Sequence, residues 1–132
     1  MTKEELCRKA MDMLEMAYVP YSHFPVGAAL ECEDGTVYTG CNIENASYTP
    51  TICAERTAFS TAVAQGYREF TAIAICGGKD GVIEGLFPPC GVCRQVMREF
   101  CDPDFTVYMI SSRSGDYETR TLAQLLPDSF SL

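Results

Sequence analysis

Hydrophobic residues near the start of the chain recur at the spacing of an amphipathic helix. Thr2 and Glu5 have the spacing of a capping box, and Pro20 marks the point by which the helix must end. The predicted buried stripe comprises Leu6, Ala10, Met13, Leu14 and Ala17. The pattern predicts one helix that packs its apolar side on the rest of the protein.

Farther along, short apolar runs that are typical of strands alternate with helical segments. Segments 26–33 and 36–43 flank Asp34-Gly35, which is a strong hairpin signal. The other predicted elements are strands at 70–76, 105–110 and 117–120 and helices at 53–64, 91–100 and 121–126. This order predicts one mixed sheet with helices on its faces.

Length and composition are those of an ordinary globular protein. The chain has 132 residues, of which 47% are hydrophobic and 21% are charged, so we expect one domain over residues 1–132. No run approaches the roughly 18 apolar residues of a membrane span. The polar start of the chain does not resemble a signal peptide. These features predict a cytoplasmic protein with no membrane partner.

The charge balance narrows the range of partners. Ten Lys and Arg residues stand against 18 Asp and Glu residues, which gives a net charge of −8. Binding to a nucleic-acid backbone depends on clustered Lys and Arg, and the chain has no run of three basic residues. The sequence therefore predicts no nucleic-acid partner and leaves a small neutral molecule as the expected ligand.

The eight cysteines fall into two groups. Their spacing is not that of a disulfide scaffold, so we expect free thiols. Five lie in apolar-patterned stretches and are expected in or beside the core: Cys7, Cys32, Cys41, Cys76 and Cys101. The remaining three lie at two predicted helix starts, where free N–H groups favour thiolates.

The pair Cys90 and Cys93 forms a C-x-x-C motif at one of these helix starts. By itself the motif fits half a zinc site, a redox dithiol or a coincidence. Cys53, followed two residues later by Glu55, supplies a third thiolate at the other helix start. Three thiolates would leave one position of a tetrahedral zinc open, which is typical of a catalytic site. Glu55 would then lie close enough to move protons at that position.

This arrangement resembles the metal motif of zinc-dependent nucleobase deaminases, C-x-E followed by P-C-x-x-C. The resemblance to free-nucleoside cytidine deaminases extends over segments 20–30, 40–48, 53–58, 89–95 and 125–130. The Asn42-Ile43-Glu44-Asn45-Ala46 segment makes it specific. The short length and the three cysteines resemble the homotetrameric branch of the family, whereas the longer dimeric branch uses a histidine ligand.

The resemblance implies a three-layer α/β/α fold around a five-stranded mixed sheet. It implies one zinc ion per chain, held by Cys53, Cys90 and Cys93. The implied activity is the hydrolytic deamination of cytidine and 2′-deoxycytidine in pyrimidine salvage. Glu55 would protonate N3 of the base and carry protons to the leaving ammonia.

The resemblance also implies the contacts to the substrate. Asn42 and Glu44 would bind the sugar hydroxyls, and Phe24 would pack on the pyrimidine. The Ala54 N–H and the Cys90 carbonyl would contact the base, while Tyr48 and Phe130 would reach the pocket of a neighbouring subunit. Segment 80–87 matches no motif of the family, and we expect it near the rim of the pocket.

Three thiolates on Zn²⁺ would leave a net charge of −1, so the site needs donors to sulfur. Arg56 and Arg94 each follow a site residue directly, and we expect both to donate hydrogen bonds to the ligand sulfurs. Three alternatives stay open at this point. They are a polynucleotide-editing deaminase, a blasticidin-type deaminase, and a structural zinc module with His23 or another cysteine as its fourth ligand.

Overall fold

The first helix is capped as the sequence predicts. In the computed structural model, which describes residues 1–132, α1 spans Lys3–Asp12. The Thr2 side chain accepts a hydrogen bond from the Glu5 N–H, and the Glu5 carboxylate accepts one from the Thr2 N–H. The predicted helix is too long, because residues from Met13 to Met16 tighten into a 3₁₀ turn. Leu14 is still buried, so the apolar stripe persists.

The sheet contains five strands, as expected. The strands are β1 Val26–Cys32, β2 Val37–Cys41, β3 Phe70–Gly77, β4 Thr106–Ile110 and β5 Tyr117–Thr121. Their spatial order is β2-β1-β3-β4-β5, with β3 and β4 parallel and every other pair antiparallel. A short turn joins the antiparallel pair β1 and β2, and a helical crossover joins the parallel pair β3 and β4. β1 also pairs antiparallel with β3, although β2 lies between them in sequence.

Helices cover both faces of this sheet, which confirms the three-layer arrangement. The remaining helices are α2 Ala54–Ala64, α3 Gly91–Phe100 and α4 Leu122–Leu125. One face packs under α1, and its buried cluster includes Leu6 and Ile110. The opposite face carries α2 and α3 over a larger cluster that includes Phe59 and Met97.

The start of α2 is held tightly against the end of β2. A Cβ atom on Gly40 would lie 2.3 Å from the Ala54 carbonyl oxygen, so only glycine permits this approach. The Thr57 hydroxyl donates to the Cys41 carbonyl at 3.0 Å. These contacts fix the position of Cys53 and Glu55 at the beginning of α2.

The cysteines predicted to pack in the interior do so. Cys7, Cys32, Cys41, Cys76 and Cys101 are buried, and none of the eight cysteines forms a disulfide. Burial raises the pKa of Cys76 and of Cys101 to about 12, so these thiols stay protonated at neutral pH. None of the helices combines the length and the apolar character that crossing a membrane requires.

Candidate active site

The three remaining thiols meet where the N-termini of α2 and α3 converge. Cys53 and Cys90 are the N-cap residues of the two helices, and Cys93 lies in the first turn of α3. The Sγ of Cys90 lies 3.7 Å from that of Cys53 and 3.4 Å from that of Cys93. Tetrahedral Zn–S bonds of about 2.3 Å would place sulfurs about 3.8 Å apart. The spacing of these sulfurs therefore fits a zinc ion.

Neighbouring donors favour the thiolate form of these sulfurs. The Arg56 guanidinium donates from Nη2 to the Cys53 Sγ at 3.5 Å. Hydrogen bonding from Cys93, together with Arg56, lowers the pKa of Cys53 to about 5. The Cys93 N–H donates to the Cys90 Sγ at 3.4 Å. A lowered thiol pKa favours metal binding, because the thiolate is the form of cysteine that binds a metal.

No fourth protein ligand completes the cluster. The ligand atoms of Cys53, Cys90 and Cys93 all lie within 4.8 Å of one another, and no further His, Cys, Asp or Glu joins the group. The structural zinc alternative named His23 or another cysteine as the fourth ligand, and the structure brings neither to the cluster. Three ligands suit a metal that keeps a position for a reactant.

Glu55 lies beside the sulfurs, in the first turn of α2. Its side chain is only 2% exposed, and its Oε1 has no hydrogen-bond partner. Burial raises the pKa of Glu55 to about 7, and the nearby Cys53 thiolate adds to the shift. A buried carboxyl group that changes protonation near neutral pH is suited to proton transfer.

The cluster opens into a cavity of about 200 Å³. We call Cys53, Glu55 and Cys90 its floor, and the other lining residues its walls. The wall residues are Ser22, Phe24, Val26, Asn42, Thr51, Ile52 and Phe87. The sequence resemblance pointed to Phe24 and Asn42 only. The others lie on loops or at a strand start and carry no chemical signature that a sequence pattern could reveal.

Asn42 and Glu44 hold the loop that carries Phe24. The Asn42 side chain accepts from the Val26 N–H at 2.8 Å and donates to the Phe24 carbonyl at 3.0 Å. Glu44 accepts from the backbone N–H groups of Tyr21 and Ser22, and from the Ser22 hydroxyl. The hydrogen bond from the Ser22 hydroxyl is the largest of the effects that lower the pKa of Glu44.

These bonds leave part of each side chain free. An amide has two donor hydrogens and two acceptor lone pairs, and a carboxylate has about four acceptor positions. Asn42 thus retains one donor and one acceptor, and Glu44 retains one acceptor position. Both residues organise the loop and keep the capacity to bind a hydroxyl group.

Tyr48 and Phe130 do not line the cavity of their own chain. Their side chains are 79% and 68% exposed. Tyr48 borders an adjacent depression together with Glu44 and Tyr21. Two large, exposed aromatic side chains are the kind of surface that another protein copy covers.

The two backbone groups expected to contact the base lie at the helix starts. The Ala54 side chain is fully buried in the core, and Ala54 is the first residue of α2. The Cys90 carbonyl accepts the Arg94 N–H at 3.0 Å, which leaves it a second lone pair. Cys90 lines the cavity, whereas Ala54 lies between the floor residues Cys53 and Glu55 in sequence and is not itself a lining residue.

The structure corrects the prediction for Arg94. Its Nε donates to the Pro89 carbonyl at 2.7 Å, and its Nη1 donates to the Leu125 carbonyl at 2.6 Å. Its guanidinium thus joins the start of α3 to α4, and it donates to carbonyls rather than to a ligand sulfur. The difference arises because consecutive residues of a helix point about 100° apart, so Arg94 faces α4 rather than the cluster that Cys93 faces. Arg56 is the arginine that reaches sulfur.

Comparison with known proteins agrees with this geometry. The model of the cytidine and deoxycytidylate deaminase zinc-binding region matches residues 1–109. The chain belongs to the cytidine and deoxycytidylate deaminase family. The matched residues include all three floor residues and Cys93, so the redox-dithiol and coincidence interpretations of the C-x-x-C motif fall away.

Relatives of similar length support this membership. A cytidine deaminase of Sporosarcina psychrophila is 51% identical over 131 residues, which cover 99% of this chain and 93% of that protein. A cytidine deaminase of Halalkalibacterium halodurans is 47% identical and covers 98% of this chain and 95% of the relative. The chain is thus an enzyme of the short type within the family.

Solved structures of the family share the fold. The crystal structure of cytidine deaminase from Burkholderia pseudomallei superimposes with a TM-score of 0.90 at 48% identity, covering 98% of this chain and 100% of that one. The Mycobacterium tuberculosis cytidine deaminase gives a TM-score of 0.82 at 37% identity, over 100% and 99% of the two chains. The predicted α/β/α fold is confirmed.

Proposed function

We propose that this chain hydrolyses free cytidine and 2′-deoxycytidine to uridine and 2′-deoxyuridine with release of ammonia. One observation carries the proposal. A three-cysteine cluster with no fourth protein ligand, of which Cys53 and Cys90 line the floor of the cavity, lies beside a buried carboxyl group whose Oε1 has no hydrogen-bond partner. This is the donor set that nucleobase deamination requires.

Cys53, Cys90 and Cys93 would hold one zinc ion per chain. When bound there, zinc supplies a Lewis acid that lowers the pKa of water toward neutrality. Arg56 donates to the Cys53 sulfur, and this offsets part of the negative charge of three thiolates. The α2 and α3 N-termini contribute further positive potential.

Glu55 is proposed to move the protons of the reaction. It takes a proton from the attacking water and delivers it to N3, which makes C4 more electrophilic. It then takes the remaining proton from the hydroxyl group added at C4 and gives it to the amino group, so that the C4–N bond breaks, ammonia leaves and the C4 carbonyl forms. A carboxyl group with a pKa of about 7 can accept and release a proton at neutral pH without a large penalty in either direction.

The walls would position the nucleoside. Phe24 packs on the pyrimidine, while the Ala54 N–H and the Cys90 carbonyl bind its polar edge. Asn42 and Glu44 use their remaining hydrogen-bond capacity for the sugar hydroxyls. Because they also hold the loop of Phe24, binding of the sugar and of the base would depend on the same contacts.

The charges at the sugar end favour a nucleoside over a nucleotide. Glu44 would repel a phosphate at the 3′ position, and no Lys or Arg occurs between Lys9 and Arg56. The fold does bring in one cation from elsewhere, because Lys79 Nζ donates to the Ser22 carbonyl at 2.8 Å. This carbonyl does not neutralise Lys79, so the preference for a nucleoside without phosphate rests on Glu44 and on the lack of any Lys or Arg in segment 10–55.

We further propose a homotetramer with pockets shared between subunits. Tyr48, Phe130 and Leu132 expose most of their apolar surface, and contact with neighbouring copies would bury it. Tyr48 and Phe130 would each complete the pocket of a neighbour. Light scattering on the zinc-loaded protein is expected to give four chains, and an active monomer would contradict this assembly.

Three further proposals concern the domain organisation, the compartment and the metabolic role of the protein. We propose that residues 1–132 act as one domain, that the protein works in the cytoplasm, and that its reaction belongs to pyrimidine salvage. Eight free thiols, three of them at the proposed metal site, suit a reducing compartment, where disulfides are rare.

A competition assay tests the proposed function directly. Zinc-loaded protein is offered cytidine, cytidine monophosphate, blasticidin and a cytosine-containing oligonucleotide at equal base concentration. Ammonia release from cytidine alone, abolished by a chelator and restored by zinc, is the expected result. Comparable deamination of the oligonucleotide would support the polynucleotide-editing alternative instead. Deamination of blasticidin in place of cytidine would support the other deaminase alternative.

A further inference from the structure

One wall of the cavity comes from segment 78–87, of which residues 80–87 match no motif of the family. Phe87, at the end of this segment, lines the same cavity as Glu55. Its ring centroid lies 5.3 Å from that of Phe24, and the ring planes are tilted by 36°. This separation is within the favourable range for aromatic pairs. Phe24 therefore has a second ring as its neighbour within the wall.

Segment 78–87 is bound to the loop that carries Phe24. Lys79 Nζ donates to the Ser22 carbonyl at 2.8 Å, and the Asp80 N–H donates to the His23 carbonyl at 2.7 Å. These two bonds join the beginning of the segment to the residues immediately before Phe24. The positions of the two rings are thereby linked through the backbone as well as by direct contact.

The segment is also fixed on its other side. The Gly85 N–H donates to the Ser111 carbonyl at 3.2 Å, and the Arg113 guanidinium donates to the Gly81 carbonyl at 3.1 Å. Ile83 is buried in the cluster beneath α1. Because hydrogen bonds and buried contacts hold the segment on both sides, the fold determines the position of the Phe87 ring in the cavity wall.

The chemistry of cytosine decides which edge of the base meets this aromatic pair. In the proposed function, N3 and C4 face Glu55 at the floor, and N1 carries the sugar toward Asn42. The C2 carbonyl and the C5–C6 edge remain. Burying the carbonyl oxygen against phenyl rings would cost it a hydrogen bond, whereas the C–H groups at C5 and C6 are apolar. With Phe24 packed on the pyrimidine, the C5–C6 edge therefore faces the adjacent Phe87 ring.

We propose that Phe87 is a specificity-determining residue that limits the size of the substituent accepted at C5 of the pyrimidine. It acts through its own ring and by restricting the movement of Phe24, with which it is in contact. The ligand class that it excludes is cytidine with a bulky C5 group. This inference rests on the proposed cytidine deaminase function and deepens it.

The test compares kcat/KM for cytidine, 5-methylcytidine and 5-iodocytidine in zinc-loaded protein. The variants are Phe87→Ala and Phe87→Leu, with Leu86→Ala as the control. Leu86 belongs to the same segment but does not line the cavity of Glu55. Every variant is tested on the same substrates. The intrinsic reactivities of the substrates therefore cancel when the kcat/KM ratio of a variant is compared with that of the wild-type protein.

The wild-type protein is expected to prefer cytidine over 5-iodocytidine. Phe87→Ala should raise the ratio of kcat/KM for 5-iodocytidine to that for cytidine by at least ~10-fold, as expected for space of a few methylene groups. Phe87→Leu should shift the ratio in the same direction by less, and Leu86→Ala should leave it unchanged. 5-Methylcytidine should give intermediate shifts.

If Phe87→Ala lowers kcat/KM equally for all three substrates, so that the ratios between substrates are unchanged, Phe87 only supports the fold. This result would overturn the inference. If Phe87→Ala fails to fold, the ratio in Phe87→Leu decides in the same way. Failure of the proposed function looks different, because the wild-type protein would then not deaminate cytidine at all.

Discussion

The floor and the walls of the cavity are built by different means. The floor residues and Cys93 lie at the starts of two helices that pack on the sheet through a fully buried core. The walls come mainly from three loops that hydrogen bonds hold to one another. Rigid helix starts suit metal ligands, because their geometry must hold within a few tenths of an ångström. Loops suit substrate recognition, because their sequences can vary without disturbing the core.

This difference has a functional consequence. Changes to the floor should remove the metal or the chemical step, whereas changes to the walls should alter which substrate binds and how tightly. In the proposed function the floor would hold an ion and transfer protons, and these requirements are the same for every substrate. The walls meet the parts of the substrate that vary. The predictions below test this separation, beginning with the largest expected effect.

The largest effect is expected from the loss of a metal ligand. Cys93→Ser should reduce zinc affinity by at least ~100-fold and activity with it, since even residues behind the ligands contribute 10–100-fold. The measurement is zinc content after dialysis, together with the rate of cytidine loss. Cys101→Ala is the matched control, because Cys101 is buried in the core away from the cluster. Full zinc occupancy in Cys93→Ser would remove this residue from the metal site.

Glu55→Gln should retain zinc and the fold but lose activity by at least ~10²-fold, because an amide cannot carry the proton. The loss should fall on kcat, and zinc content and melting temperature should show that the site is intact. Glu99→Gln, on the exposed side of α3, is the control and should keep its activity. Near-normal turnover in zinc-replete Glu55→Gln would exclude this carboxyl group from the chemistry.

Arg56→Gln should weaken zinc binding by roughly 10–100-fold, since it removes the donor to the Cys53 sulfur. Competition with a chelator of known affinity measures the change. Arg94→Gln is the informative control, because its guanidinium bonds only to carbonyls of Pro89 and Leu125. It should lower the melting temperature and leave zinc affinity unchanged. A loss of zinc affinity only in Arg94→Gln would reverse the assignment of the two arginines.

The smallest effect is expected at Glu44, which holds the wall residue Ser22 in place. Glu44→Gln should raise KM for cytidine by about tenfold with little change in kcat, because one charge-assisted hydrogen bond to the sugar is lost. Glu44→Gln should also lower the ratio of kcat/KM for cytidine to that for cytidine monophosphate, since the side chain loses its negative charge. Steady-state kinetics on both compounds measure this, with the exposed Glu118→Gln on β5 as control. A collapse of kcat with KM unaffected would assign Glu44 to the chemical step rather than to substrate binding.

Local sequence determined the floor of the site, because its residues are specified by short-range patterns. The C-x-E and C-x-x-C motifs sit at helix starts, and helix starts have recognisable signals in the chain. The hairpin at Asp34-Gly35 and the buried strands followed from equally local periodicity. Even the end of the first helix differed only where the last turn tightened at Met13.

Tertiary structure alone decided the walls and the direction of the arginines. Phe87 joins Phe24 across more than sixty residues of sequence, and Lys79 reaches the loop of Ser22 from a different strand end. Arg56 and Arg94 each stand next to a site residue in sequence, yet only one donates to sulfur. Sequence adjacency fixes where a backbone passes, but the direction of a long side chain depends on which acceptors the fold places around it. For this protein the chain itself specified the chemistry at the floor, while packing between distant segments specified the space around the substrate.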